Sequence, residues 1–185
     1  EQAKGKGVMV VFSDGIYGGR DVQKISTCQT DAFDSKDFGG MGYMVDGVPY
    51  FYNDSVKCHT TETEFDVSSL KELPKVGVAY FTIDADPEIL DYYKESGVQG
   101  IVIAGAGSGC YSEQWNNKID ELAETGIPVV RCSRIGSGVI TQDDYFIGNI
   151  ARGNDLAPQK AATLLRLILT VTNDIEQVQN MFDKY

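Results

Sequence analysis

Basic residues are scarce and never run together: 16 Lys and Arg stand against 27 Asp and Glu, a formal net charge of −11. Proteins bind a phosphate backbone by neutralising it with clustered cations, so nucleic acid is not an expected partner. No apolar stretch approaches the roughly 18 to 20 residues that span a bilayer; the longest, such as Gly100 to Ala106, have the length of a strand. No membrane partner is expected either. Histidine occurs once, as His59, and the four cysteines Cys28, Cys58, Cys110 and Cys132 form no Cys-x-x-Cys pair. Zinc needs spaced N and S ligands that converge tetrahedrally, so no metal site is expected, and the thiols read as free and mostly buried. His59 sits in the polar run Lys57 to Glu64, a poor setting for the base of a Ser-His-Asp or Cys-His site. The first residue is Glu1 rather than Met, and the N-terminus leaves the compartment open.

What is present is enough apolar material for a core. The 185 residues are 42% hydrophobic and 10% aromatic, which suits one or two domains. Gly7 to Ser13 is a continuous apolar run that can be buried on both faces of a sheet, with Asp14-Gly15 and Gly18-Gly19 supplying turns after it. Gly42 to Asn53 carries Asp46-Gly47 between two apolar and aromatic runs, the strongest hairpin signal in the chain. Residues 1–56 therefore read as hairpin-rich β structure. Residues 57–74 lose periodicity, are rich in Thr, Ser and Glu, and close on Leu73-Pro74, as an interdomain connection does.

In residues 75–185 strands alternate with helices: Val76 to Phe81, Gly100 to Gly105 and Pro128 to Cys132 as strands, Pro87 to Ser96 and Glu113 to Glu124 as helices. Such alternation requires crossover connections and a small, doubly wound parallel sheet, an α/β domain. Asp86-Pro87 and Ser112 supply helix starts, and Gly97 and Gly126 supply stops. A third helix opens at Ala157-Pro158, with Ala161, Leu164, Leu165, Ile168 and Leu169 on one face; Asp174 caps a last one that turns Ile175, Val178 and Met181 or Phe182 inward.

Candidate functional residues gather where those strands end. Gly105 to Gly109 (GAGSG) lies between a buried strand and a helix, where backbone amides hold anions; the alternative is a tight turn with nothing bound. It matches neither the dinucleotide fingerprint nor a P-loop, because Cys110 stands where a third Gly belongs and no Lys-Ser/Thr pair follows. Ligands of open α/β sheets collect at the carboxyl ends of strands, which singles out Ser108. Arg131 to Gly138 (RCSRIGSG) follows the next strand, placing Ser133, Arg134 and Ser137 on the same rim; arginines there are expected more often as surface ion pairs than as carboxylate clamps. Asp143 and Asp144 are either a pair for a substrate ammonium or a solvated loop. Tyr43, Tyr50 and Tyr52 are expected to pack in the sheet rather than form a binding face.

The order of several longer stretches carries more. GVMVVFSDGIYGGRDVQK (Gly7 to Lys24), HTTETEFDVSSLKELPKV (His59 to Val76), GIVIAGAGSG (Gly100 to Gly109), PVVRCSRIGSG (Pro128 to Gly138) and the terminal APQKAATLLRLILTVTNDIEQVQNMFDKY (Ala157 to Tyr185) follow one another as in the C-terminal half of a bacterial type II L-asparaginase, which the chain resembles over nearly its whole length. The resemblance implies that residues 1–56 end a larger N-terminal α/β domain, that 57–74 link it, and that 75–185 form the small C-terminal domain. It implies an amidohydrolase acting on asparagine, and in some members glutamine, through a threonine nucleophile, as a homotetramer without metal or cofactor. The threonine motifs of the family lie upstream of Gly7, so no catalytic residue is carried over onto this chain, and the family's lysine falls in ungapped register at Glu1. Carried over are two substrate-binding positions near the substrate amino group across a subunit interface: Ser108 in the Gly-rich turn and Asp144, with Asp143 beside it, in the following loop. Cys132 and Ala157 replace the usual serine and asparagine. Relatives of type II are exported, which implies a periplasmic or secreted location for such a protein and a cytoplasmic one otherwise. The competing expectation is a non-catalytic amino-acid-binding or interaction module on the same fold.

Overall fold

The computed structural model describes residues 1–35, 37–143, 145–146 and 148–185. By proximity these form one unit of Glu1–Thr63 with Tyr185 and a second of Glu64–Lys184.

In the first unit, β1 (Met9–Phe12) and β2 (Gly15–Gly18) form a hairpin, β3 (Gln23–Lys24) and β4 (Phe33–Asp34) form a short ribbon, and β5 (Gly42–Val45) and β6 (Val48–Phe51) form a second hairpin. The antiparallel order is β1-β2-β5-β6. Asp46 and Gly47 take φ of 51° and 79° and set Val45 opposite Val48, the left-handed two-residue turn that matches strand twist. The first hairpin turns one residue earlier than Asp14-Gly15: Ser13 and Asp14 occupy the turn and Gly15 pairs with Phe12. Gly15 leaves room for the Tyr17 ring, whose far end lies 2.6 Å from where a Cβ would stand and would have to shift.

Burial of β1 on both faces is not found. It is an edge strand with β2 as its neighbour, and Val11 and the preceding Val8 are 55% and 74% exposed. Tyr43 and Tyr50 are directly opposed across the hairpin and both exposed, and the exposed Tyr52 ring lies 6.5 Å from that of Tyr43, so these tyrosines sit on a sheet face rather than in a core.

The second unit runs β7 (Val76–Tyr80), α1 (Ile89–Glu95), β8 (Gly100–Gly105), α2 (Glu113–Ala123), β9 (Val129–Ser133), β10 (Ile150–Arg152), α3 (Pro158–Ile168) and α4 (Ile175–Lys184). Its strands are parallel in the order β10-β9-β8-β7, and all six residues of β8 are buried. Side chains alternate across a strand. Ile101 and Ile103 meet Leu90 of α1 and Trp115 and Ile119 of α2, whereas a Cβ on Gly100 would touch Leu165 at 2.9 Å and Leu169 at 3.0 Å, so α3 covers the other face. Each such fully buried aliphatic contributes about 1.5–3 kcal/mol, so the two-faced core decides the fold.

The helix signals act at the residues that carry them. Ser112 Oγ accepts from the Trp115 amide, and Asp174 Oδ1 accepts from the Gln177 amide at 3.0 Å. Asp86 Oδ1 takes the Glu88 amide, but Pro87 and Glu88 form a preliminary turn and α1 starts at Ile89. Among the described residues no helix is long and apolar enough to cross a membrane.

Candidate functional site

The Gly-rich segment is a closed loop. Ala106 and Cys110 exchange two backbone hydrogen bonds of 2.8 and 2.7 Å, which leaves Gly107, Ser108 and Gly109 as the tip. Gly107 and Gly109 have φ of 52° and 80°, where an L side chain costs about 1–2 kcal/mol. A Cβ on Gly105 would lie 2.3 Å from the carbonyl carbon of Gly109, so the base of the loop admits only glycine. Two of the amides an anion cradle would use are spent on each other. Ser108 is exposed at the carboxyl end of β8, and its hydroxyl has no hydrogen-bond partner among the described residues.

The end of β9 holds that loop. Arg131 is 2% exposed; its Nη1 donates to the Ser108 carbonyl at 2.8 Å, its Nη2 to the Thr141 carbonyl at 2.7 Å, and its plane lies 4.2 Å from the Phe146 ring centroid. Burial pulls the guanidinium below its ordinary pKa, offset in part by Tyr111 and Asp143. The Ser133 hydroxyl donates to the Gly107 carbonyl and accepts from the Ile135 amide. The Arg134 amide donates to the Gly105 carbonyl and its Nη1 to that of Phe81 at 2.9 Å. The expected surface ion pairs are absent from both arginines among the described residues; they donate instead to backbone carbonyls of the segments that follow β7, β8 and β9, namely Phe81, Ser108 and Thr141.

The structure thus joins Ser108, Ser133 and Arg134 on one rim, with Ser137 exposed further along the same loop. The Asp143 carboxylate accepts from the Tyr145 amide at 2.9 Å and closes a local turn; Asp144 lies outside the described residues. Beneath the rim Phe146 meets Tyr111 and Tyr145 edge-on, each at 4.8 Å, and burial drives the Tyr111 phenol well above its ordinary pKa. Arg131 and these rings were not singled out as a unit by sequence, although Arg131 stands in an otherwise apolar strand, VVRC, where a charge must find partners.

Among the described residues no nucleophile and base come together here. Cys132 is fully buried and its thiol is pushed up to about 12 by burial, which makes it inert. The other thiols correct the expectation of mostly buried cysteines: Cys28 and Cys110 are exposed and Cys58 is half-buried, because each lies in a loop or turn. His59 pairs with the Thr60 hydroxyl at 3.2 Å in the first unit. Among the described residues no group of His, Cys, Asp and Glu is arranged to hold a metal.

Comparison with known proteins decides the family. The glutaminase/asparaginase C-terminal domain matches residues 75–182, and the asparaginase N-terminal domain matches 1–57. The chain belongs to the asparaginase family. It is 40% identical over 185 residues to L-asparaginase 2 of Bacillus subtilis, covering 100% of this chain and 49% of that protein. Against L-asparaginase 2 of Escherichia coli the identity is 40% over 184 residues, with 97% and 53% covered. The crystal structure of a probable cytoplasmic L-asparaginase from Campylobacter jejuni superposes with a TM-score of 0.95 at 40% identity, covering 100% of this chain and 60% of that one. This asparaginase-family chain spans about half the length of the curated relatives it matches. Its mixed α/β architecture, with a parallel sheet and antiparallel hairpins, is the one the sequence predicts.

Proposed function

We propose that this chain acts as the C-terminal part of an L-asparaginase that hydrolyses L-asparagine to L-aspartate and ammonia, glutamine being a second substrate class. Ser108 and Asp144 orient the substrate's amino group across a subunit interface in a homo-oligomer, a tetramer by family resemblance. The matches at 1–57 and 75–182 support reading residues 1–56 as the end of the N-terminal domain, 57–74 as the connection and 75–185 as the small domain.

One observation carries the site: Ser108 is exposed on a hydrogen-bonded loop at the carboxyl end of β8, with its hydroxyl unengaged among the described residues. A hydroxyl so placed accepts from an ammonium, and the paired acids of the next loop supply the opposite charge. Such contacts position substrate. Acyl transfer needs in addition an activated nucleophile, a base and an oxyanion hole, which the resemblance locates upstream of Gly7.

Ammonia release from asparagine tests this. The isolated chain is expected to give none, and the chain joined to an upstream half carrying the family's threonine motifs is expected to turn over. Normal turnover by the isolated chain would overturn the reading, and tight aspartate binding by it alone would favour the non-catalytic module.

A further inference from the structure

We infer that Arg131 is the positioning residue of the Ser108 loop: its buried guanidinium grips the Ser108 and Thr141 carbonyls together and so sets the direction in which the Ser108 side chain faces substrate. The inference rests on the substrate-orienting role proposed for Ser108.

A loop tip with glycine on both sides of its one functional side chain has wide backbone freedom. The Ala106–Cys110 pair closes only the base of this loop. The tip itself is held by β9, through Ser133 on the Gly107 carbonyl and Arg131 on the Ser108 carbonyl. Ser133 holds the peptide before Ser108 and Arg131 the peptide after it, and with both held the Cα–Cβ direction of Ser108 is restricted.

Burying a guanidinium is costly, and an apolar side chain of similar volume fills such a site without the cost. Here both Nη atoms of the buried cation are engaged. Its two Nη donors reach carbonyls 23 and 10 residues away in the chain, so the Gly-rich loop and the loop entering Asp143 share one anchor. The Phe146 face, 4.2 Å off, fixes the plane of the fork. A lysine has the charge but not the planar fork, and cannot hold two divergent carbonyls in one geometry.

The test is asparagine hydrolysis by the protein that joins this chain to its upstream half, comparing Ser108→Ala, Arg131→Lys and the double variant, with thermal midpoints as the folding control. Ser108→Ala is expected to raise KM about tenfold, the order expected for one hydrogen bond to a charged group. Arg131→Lys is expected to raise KM about five- to tenfold with kcat within about twofold, and to add nothing once Ser108 is alanine. An unchanged KM in Arg131→Lys, or effects that simply multiply in the double variant, would overturn the inference. Should Arg131→Lys not fold, Phe146→Leu replaces it, with an expected rise in KM of about two- to threefold that vanishes in the Ser108→Ala background; no rise overturns the inference. If Ser108→Ala leaves KM unchanged, the substrate-orienting reading has failed instead. Amide exchange then decides the positioning: Gly107 to Gly109 exchange at least about tenfold faster in Arg131→Lys if Arg131 holds the tip, and an unchanged rate sinks it.

Discussion

The indole N–H of Trp115 donates to the Ala85 carbonyl at 2.7 Å, and Phe81 meets its ring edge-on with centroids 5.5 Å apart. One side chain of α2 thereby ties down the connection between β7 and α1. Trp115 is the sole tryptophan and is 1% exposed. Its emission is expected to lie at short wavelength and to move red in one transition with loss of the second unit. Trp115→Phe keeps an aromatic ring but strands the Ala85 carbonyl, and is expected to cost about 1–3 kcal/mol in urea unfolding. A change within error would show that water replaces the indole.

Two glycines of the same loop separate crowding from backbone strain. Gly105→Ala drives a Cβ into the Gly109 backbone, a clash no side-chain rotation relieves, and is expected to cost about 3 kcal/mol or more. Gly107→Ala meets nothing within 4 Å and carries only the left-handed penalty of about 1–2 kcal/mol. Urea midpoints compare them, and equal losses would remove the distinction.

Glu64 accepts from the Lys184 ammonium at 2.7 Å, and that hydrogen bond holds its carboxyl below the ordinary 4.5. A carboxyl depressed in the folded state gives stability that is present above its unfolded pKa and lost as pH falls through the folded one. Glu64→Gln is therefore expected to lower stability by up to about 1 kcal/mol at neutral pH, with the difference fading in acid. Melting curves across that range check it; a loss that persists in acid would assign the effect to packing.

Thiol titration reads the cysteine environments directly. Cys28 and Cys110 are expected to react at once and Cys58, whose Sγ leans on the Glu62 carbonyl at 3.2 Å, more slowly. Cys132 is expected to react only in denaturant. Native reactivity of all four would place Cys132 outside the core.

Signals that act within a few residues were legible. Asp46-Gly47, Ser112 and Asp174 each do in the fold what their chemistry predicts, because turns and caps are local. The exposure of β1 was not legible in its apolar run, which states what a strand can bury and not which neighbour it has; it was expected only from the resemblance, in which residues 1–56 end a larger domain. β10 escaped for a related reason: although Gly148-Asn149 and Gly153-Asn154 flank it, three residues carry too short a pattern. Ser108 was visible by its place after β8, and its candidate role came from resemblance. The grip of Arg131 on it was not visible, because its partners lie 23 and 10 residues off in the chain.

The strand order β10-β9-β8-β7 has a consequence for synthesis. Each strand pairs with the one made just before it, so a nascent chain always meets an edge already formed and never waits for a partner still to be translated. α3 then arrives to seal the face that β7 and β8 have held open. The second unit is built to assemble in the direction in which the ribosome releases it, its sealing helix α3 following the completed sheet.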